Sequence, residues 1–196
     1  MNNRVEYFVV PLFACLLMLT SIPRSVRSLE VWIMYVPSSD KVGLEFWMVN
    51  QTGYINVTLA IGYPCVNVSS WGKVIRDNSS LSVSSEIWWW TGFCVQWVAP
   101  PILHTYDLGY LEEGLYTFGF QVWDVEVKRI PFAVGFILGD VNRDGRVRVD
   151  DILAIALAFG SDYGDPRYGP HLDVNGDLKI RIDDVLIAAE NFGREQ

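Results

Sequence analysis

A stretch near the C-terminus occurs twice, and this duplication constrains the fold more than any other feature of the chain. Residues 140–160 read DVNRDGRVRVDDILAIALAFG, and residues 173–193 read DVNGDLKIRIDDVLIAAENFG. A shift of 33 residues aligns the two copies, so that Asp140 falls on Asp173 and Gly160 falls on Gly193. Each copy therefore predicts the same small structural unit.

Each copy opens with oxygen-bearing side chains at positions 1, 3, 5 and 12, which is the spacing of a calcium-binding loop. Calcium takes roughly six to eight oxygen ligands, and a short loop can aim alternate side chains at the ion. The ligands predicted for loop 140–151 are Asp140, Asn142, Asp144, the carbonyl oxygen of Arg146, and Asp151. Those predicted for loop 173–184 are Asp173, Asn175, Asp177, the carbonyl oxygen of Lys179, and Asp184. The alternative is a pair of acidic surface turns.

The second loop departs from the pattern at position 6, where Gly145 of the first loop is replaced by Leu178. That position requires a positive φ, which costs a branched residue on the order of 1 kcal/mol. Position 9 is Arg148 or Arg181, and a cation there should weaken both sites. We therefore expect two calcium sites, of which the second is the weaker.

Apolar residues with helical spacing follow each loop. They are Ile152, Leu153, Ile155, Ala156 and Phe159 in the first copy, and Val185, Leu186, Ala188, Ala189 and Phe192 in the second. Gly160 and Gly193 stand where a helix commonly ends in a glycine. We expect two short amphipathic helices that bury these faces against one another, without a helix before either loop.

This tandem of loop–helix units resembles a type I dockerin over residues 138–196. The resemblance implies a small, all-α, EF-hand-like module with pseudo-twofold symmetry that folds with calcium and plugs into a cohesin domain of another protein. Loop positions 10 and 11 help to choose the cohesin in that family, and here they are Val149, Asp150, Ile182 and Asp183. Dockerins usually tether polysaccharide-degrading enzymes or accessory modules into surface assemblies.

The first 28 residues have the pattern of an export signal. Arg4 provides the positive charge, an apolar run extends from residue 7 to residue 22, and Val26 and Ser28 suit a cleavage site after residue 28. A retained membrane anchor and a buried helix are the alternatives. The signal predicts an extracellular or cell-surface protein.

Two cysteines remain after such a cleavage, Cys65 and Cys94. An even pair in an exported domain predicts one disulfide, and two buried free thiols are the alternative. Acceptor sequences for N-glycosylation occur at Asn50, Asn56, Asn67 and Asn78, so that the protein would be a glycoprotein in a host that modifies them.

Residues 29–137 alternate runs of β-branched and aromatic residues with turn residues, which predicts six or seven antiparallel strands. We expect an immunoglobulin-like β-sandwich, and hence a multidomain chain in which an all-β domain precedes the dockerin. The segment from Leu111 to Tyr116 weakly resembles the corner that a tyrosine pins in such sandwiches.

The eight tryptophans all lie in this β-rich region, where alternation places Trp88 and Trp90 on one face and Trp89 on the other. Core packing is the first interpretation, because a buried aromatic side chain removes about 150–250 Å² from water. Exposed indoles would instead suit a carbohydrate or a protein partner.

No catalytic motif accompanies the two histidines, His104 and His171, and the acidic residues Glu86, Asp107, Glu112 and Glu113 suit solvated surface. A net charge of −8 argues against a nucleic-acid partner. The sequence therefore predicts a non-catalytic, secreted calcium-binding protein that docks onto a cohesin. The alternatives are a carbohydrate-binding accessory protein and a structural surface protein stiffened by calcium.

Overall fold

The structure is a computed structural model that describes residues 30–94 and 98–196. The predicted export signal at residues 1–28 and Trp97 lie outside the described residues. Within them, no helix is long and apolar enough to cross a membrane.

The first part of the described chain is built from strands. Nine strands occur there: β1 (Trp32–Met34), β2 (Val42–Val49), β3 (Thr52–Leu59), β4 (Val66–Ser70), β5 (Ile75–Asp77), β6 (Ser80–Trp90), β7 (Ile102–Tyr110), β8 (Gly114–Val122) and β9 (Val125–Val134). A short 3₁₀ turn at Ser39–Lys41 precedes β2.

The strands form two sheets. One runs β1-β6-β8-β9, with β4 and β5 also paired to β6, and the other runs β2-β3-β7. The pairing of β6 with β8 is parallel, whereas wholly antiparallel strands were expected. Nine strands are present in the described chain where six or seven were expected. Strands β4 and β5 are short and polar, and β7 mixes His104 and Asp107 with apolar residues, so these three have the weakest strand patterns.

The core lies between the two sheets and follows the period of two that a half-buried strand dictates. Ile55, Val57 and Leu59 of β3 are fully buried, and so are Leu81, Phe118 and Phe120 of the facing sheet. Each such side chain contributes roughly 1.5–3 kcal/mol relative to full exposure. The tyrosine corner is present, because the hydroxyl of Tyr116 donates to the carbonyl oxygen of Glu112 at 3.1 Å. An all-β first domain is thus confirmed.

A disulfide joins Cys65 to Cys94, as predicted. Cys65 lies just before β4, and Cys94 lies just after β6. These two strands are already paired, so the bridge closes the end at which the chain leaves the sheet.

The duplicated region forms two helices, α1 (Val149–Leu157) and α2 (Ile182–Glu190). Both helices end before the glycines at which they were expected to end, because a turn follows each helix. Gly160 and Gly193 then adopt φ values of +85° and +80°. The helices pack through Ile155, Ala158 and Ala188, around a core that includes Val174 and Ile180. The predicted buried face was wrong in part, since these predicted members are exposed: Leu153, Ala156, Phe159, Leu186, Ala189 and Phe192.

Main-chain hydrogen bonds join the two repeats crosswise. The N–H of Gly160 donates to the carbonyl of Ile180, and the N–H of Gly193 donates to the carbonyl of Val147, at 2.9 and 2.8 Å. Val147 and Ile180 are the eighth residues of the two loops, and both are fully buried. The end of each repeat therefore completes the loop of the other.

The sandwich meets the first loop at a small junction. Arg143 pairs with Glu113 at 3.2 Å, and its guanidinium lies 4.8 Å from the centre of the Phe136 ring. The side chain of Gln196 also donates to the carbonyl of Gly135 at 2.9 Å. Arg143 and Glu113 are both largely exposed, so their ion pair contributes little stability by itself.

Candidate metal centre and docking face

Each loop is organised around the aspartate at its first position. In loop 140–151, the N–H groups of Asp144 and Gly145 donate to the two carboxylate oxygens of Asp140, at 3.1 and 2.9 Å. In loop 173–184, the N–H groups of Asp177 and Leu178 donate to Asp173 in the same way. These bonds pull the main chain round the carboxylate, and both aspartates are buried.

The aspartate at position 12 connects each loop to its helix. Asp151 accepts hydrogen bonds from the N–H groups of Val141 and Arg148, at 3.0 and 2.9 Å. Asp184 accepts the corresponding bonds from Val174 and Arg181, both at 2.8 Å. Each carboxylate lies in the first turn of its helix, where it also complements the positive end of the helix dipole.

The asparagine at position 3 is held from both sides. The side-chain amide of Asn142 donates to Asp150 at 3.0 Å, while its oxygen accepts the N–H of Asp144 at 2.8 Å. Asn175 donates to Asp183 at 2.6 Å in the same manner. Asp150 and Asp183 were predicted as cohesin-binding residues, and their role in orienting a loop side chain was missed.

Both loops contain two positions of positive φ, whereas the calcium-loop pattern predicts only the one at position 6. In the first loop these are Arg143 at position 4 and Gly145 at position 6, with φ of 58° and 83°. In the second they are Gly176 and Leu178, with φ of 73° and 68°. Each loop thus has one glycine and one strained residue. Backbone strain is therefore present in both loops and gives no reason for the second loop to bind calcium more weakly than the first.

A side-chain hydrogen bond does separate them. The hydroxyl of Tyr168 donates to the carboxylate of Asp173 at 2.7 Å, in addition to three main-chain N–H donors. A carboxylate offers about four acceptor positions, so those of Asp173 are all used. Among the described residues, two main-chain N–H groups donate to Asp140. The lower calcium affinity of the second loop stays a prediction, and the hydrogen bond from Tyr168 to Asp173 is its physical basis.

The second loop also concentrates negative charge. Burial raises the pKa of the Asp184 carboxyl, and repulsion from Asp173 raises it further. The main-chain N–H groups that donate to Asp184 lower this pKa, but the net shift is upward. A divalent cation between these carboxylates would relieve the repulsion, which fits an oxygen-lined cation site.

The arginines at position 9 turn towards carboxylates of the opposite repeat. Arg181 pairs with Asp162, and Arg148 lies 4.0 Å from Glu195, which also pairs with Arg146. The expected weakening by these cations is thereby reduced, because each guanidinium has an acidic neighbour.

The donor set consists only of carboxylate, amide and carbonyl oxygens, which suits a hard cation such as calcium. Within the described ranges, no three His, Cys, Asp or Glu side chains converge into a metal site on their own. A calcium ion would therefore need the asparagine and main-chain oxygens as well as the carboxylates. The individual ligands stay predictions.

The outer sides of the two helices form a second feature of this region, the paired apolar face. It comprises Val149, Leu153, Leu157 and Phe159 on one repeat and Ile182, Leu186 and Phe192 on the other, all exposed. Val149 and Ile182, two of the predicted cohesin-binding residues, are 70% and 60% exposed. The other two, Asp150 and Asp183, lie beside them on the first turns of the helices.

Of the four acidic residues named above, Glu86 lies on β6, Asp107 lies on β7, and Glu112 and Glu113 are adjacent between β7 and β8. Glu86 of β6 accepts from Ser69 at 3.0 Å, Asp107 of β7 accepts from the N–H of Gly109 at 2.8 Å, and Glu113 pairs with Arg143. His104 stacks on Trp71 with ring centres 4.5 Å apart, and burial lowers its pKa. Each group thus has a structural contact of its own.

Comparison with known proteins assigns the duplicated region. Residues 138–190 match the family model of the dockerin type I domain. No curated protein matches the chain.

Two solved structures from Acetivibrio cellulolyticus are similar to the chain, an N-terminal and a C-terminal interface mutant of a type II cohesin–X–dockerin complex. The first is 19% identical and covers 74% of this chain and 84% of its own, with a TM-score of 0.28. The second is 20% identical and covers 66% and 80%, with a TM-score of 0.28. The family match, together with the duplicated loops and their helices, identifies residues 138–190 as a dockerin type I domain that follows a β-sandwich.

Proposed function

We propose that this protein is an adaptor whose dockerin domain binds calcium and docks onto a cohesin domain of a partner protein. Dockerin type I domains bind calcium. In this proposal the ion is held at two sites, one in each loop, by the predicted ligands. Calcium would neutralise the acidic loops and so favour the folded helix pair.

The observation that carries the proposal is the paired apolar face. Seven large apolar side chains are exposed here, five on two helices of only nine residues each and two, Phe159 and Phe192, in the turns that follow. Exposed apolar side chains gathered in this way mark interaction sites in soluble proteins. The shift of 33 residues that aligns the loops also superposes Val149 on Ile182 and Leu153 on Leu186, so the two halves of the face are similar, although Leu157 aligns with Glu190.

The loops control this face through their last residue. Asp151 and Asp184 lie within the first turns of the helices and accept hydrogen bonds both from the start of the loop and from the residue just before the helix, so a change in the loop would move the start of the helix. Asp150 and Asp183 add a second link, from the loop asparagines to the edge of the face. Calcium in the loops would therefore set the position of the docking residues.

Calorimetric titration of the full chain with a type I cohesin domain tests the proposal, in calcium and in chelator. We expect binding in calcium and none in chelator. Replacing both Val149 and Ile182 with glutamate should abolish binding, because it places charge on both halves of the face. Leu103→Glu is the matched control, since Leu103 is equally exposed, at 70%, but lies on β7 of the sandwich.

Cohesin binding that persists in chelator would contradict the role of calcium. Equal loss with Leu103→Glu would show that the helices are not the docking face. Retention by each single variant and loss in the double variant would mean that either half can dock alone.

We also propose that the chain is not itself an enzyme and that it acts outside the cytoplasm. The structural contacts of Glu86, Asp107 and Glu113 support the first statement, and the disulfide supports the second. Release of reducing sugar from polysaccharides by the purified full chain would contradict the first statement. Fractionation of the native cells, with sequencing of the mature N-terminus, tests the second. Any polysaccharide-degrading activity in the assembly would then come from other proteins.

A further inference from the structure

The outer side of the first sheet carries a row of tryptophans that core packing does not use. Trp32 of β1 lies directly opposite Trp90 of β6, and Trp88 lies two residues away on the same side. The neighbouring Trp89 points the other way and packs against the core. We call the surface formed by Trp32, Trp88 and Trp90 the indole face.

Two open hollows lie on this face, and Trp32 lines both of them. One, of about 250 Å³, is lined by Trp32, Asn67, Ser69 and Trp88. The other, of about 300 Å³, is lined by Trp32, Pro64, Cys65 and Trp90. Trp32 is 47% exposed and is shared by the two hollows.

The rings are held in place before any ligand arrives. The indole N–H of Trp88 donates to Ser69 at 2.9 Å, and its ring meets Trp123 edge-on with centres 4.8 Å apart. Trp90 packs on Trp32 at 5.4 Å. Strand β6 is paired on both sides here, with β1 and with β4, so the backbone beneath the rings is fixed as well.

The polar groups on the face determine which ligand chemistry it suits. Asn67 lies directly opposite Trp88, and the hydroxyl of Ser69 lies between Trp88 and the carboxylate of Glu86. Among the residues that the structure describes, no Lys or Arg lines either hollow. The nearest charge in this set is therefore negative, which disfavours phosphate, nucleic acid and acidic sugars.

We infer that the indole face binds a neutral pyranose oligosaccharide. The apolar C–H faces of the sugar rings would lie on Trp32, Trp88 and Trp90. Asn67 would donate to or accept from the ring hydroxyls, and the carboxylate of Glu86 would accept from them. Sites that combine an apolar lining with a few placed polar groups are the usual form of small-ligand sites. This inference concerns the sandwich and is independent of cohesin docking.

Calorimetric titration of the full chain with four neutral hexasaccharides tests it: cellohexaose, xylohexaose, mannohexaose and chitohexaose. The protein is made in a host without N-glycosylation, because Asn67-Val68-Ser69 is an acceptor sequence and a glycan on Asn67 would cover the face. We expect saturable binding of at least one of the four. Trp32→Ala should weaken that binding by about five- to tenfold, the size of a lost aromatic stacking contact.

Trp47→Ala is the matched control. Trp47 is similarly exposed, at 40%, and also stacks on an aromatic neighbour, Tyr54, but it lies on the second sheet. This variant should bind the sugar as the parent chain does. Thermal unfolding of both variants establishes that they are folded.

Failure of all four sugars to bind would overturn the inference, and so would an equal loss with Trp47→Ala. Light scattering tests the alternative that the indole face is a dimer interface. A dimer that Trp32→Ala dissociates would mean that a second copy of the chain, and not a sugar, covers the indoles.

Discussion

The hydroxyl of Tyr168 donates a hydrogen bond to Oδ2 of Asp173 at 2.7 Å, and this contact distinguishes the second loop from the first. Calcium must compete with that hydroxyl for the carboxylate. We expect Tyr168→Phe to raise the calcium affinity of the second loop by about fivefold, the equivalent of one hydrogen bond worth about 1 kcal/mol. Calorimetric titration of the full chain with calcium measures it.

Tyr163→Phe provides the control for that substitution. The Tyr163 ring packs edge-on against Tyr168 with centres 5.7 Å apart, and it is exposed. It should leave both affinities unchanged. A lower affinity in Tyr168→Phe would mean that the hydroxyl positions Asp173 for the ion.

Unequal loops predict unequal effects of losing the first aspartate. Asp140→Ala or Asp151→Ala should abolish calcium-dependent folding of the helix pair, whereas Asp173→Ala should be milder. Circular dichroism of each full-length variant, with and without chelator, follows the helix signal. Equal losses from the two loops would contradict this order.

Position 6 of the second loop can be relieved of strain. Leu178 adopts a φ of 68°, which costs a branched residue on the order of 1 kcal/mol. Leu178→Gly should therefore leave the free energy of unfolding about 1 kcal/mol higher than glycine at an unstrained neighbouring position does, as measured by urea denaturation in calcium.

Lys179→Gly is the neighbouring control, because Lys179 is not among the residues of positive φ. Glycine there should destabilise by about 0.5–1 kcal/mol through the entropy of the unfolded chain. A gain in stability from both substitutions would exclude backbone strain as the cause.

The disulfide predicts a difference between the two domains. Its cysteines are 29 residues apart, so the loop-entropy estimate gives about 3–4 kcal/mol of stability. Cys65→Ser with Cys94→Ser should lower the melting temperature of the sandwich and leave the calcium-induced helix signal intact. Differential scanning calorimetry measures the melting temperature of the sandwich, and circular dichroism measures the calcium-induced helix signal. A loss of both in the double variant would show that the two domains unfold together.

Much of the dockerin domain could be predicted from the sequence, because loop ligands and helix periodicity are local patterns. The side of each helix that is buried was harder to predict. Leu153 and Ile155 are both apolar, but only Ile155 faces α2, and that depends on how the helices cross. Tyr168 and Asp173 likewise meet through a connecting segment that no spacing rule describes.

In the sandwich, strand content and the placement of Trp88 and Trp90 followed from alternation. The parallel pairing of β6 with β8 did not, because pairing direction depends on the path of the chain between strands. Arg143 shows a further limit: its positive φ could be inferred only by comparing it with Gly176 at the same loop position.

The crosswise bonds of Gly160 to Ile180 and of Gly193 to Val147 make the two repeats mutually dependent. One loop–helix unit offers the same donor and acceptor that it requires from its partner. Neither unit satisfies its own main chain at this contact, so the domain has the organisation of a dimer whose halves are joined in one chain. A substitution at the contact in one repeat must therefore be accommodated by the other.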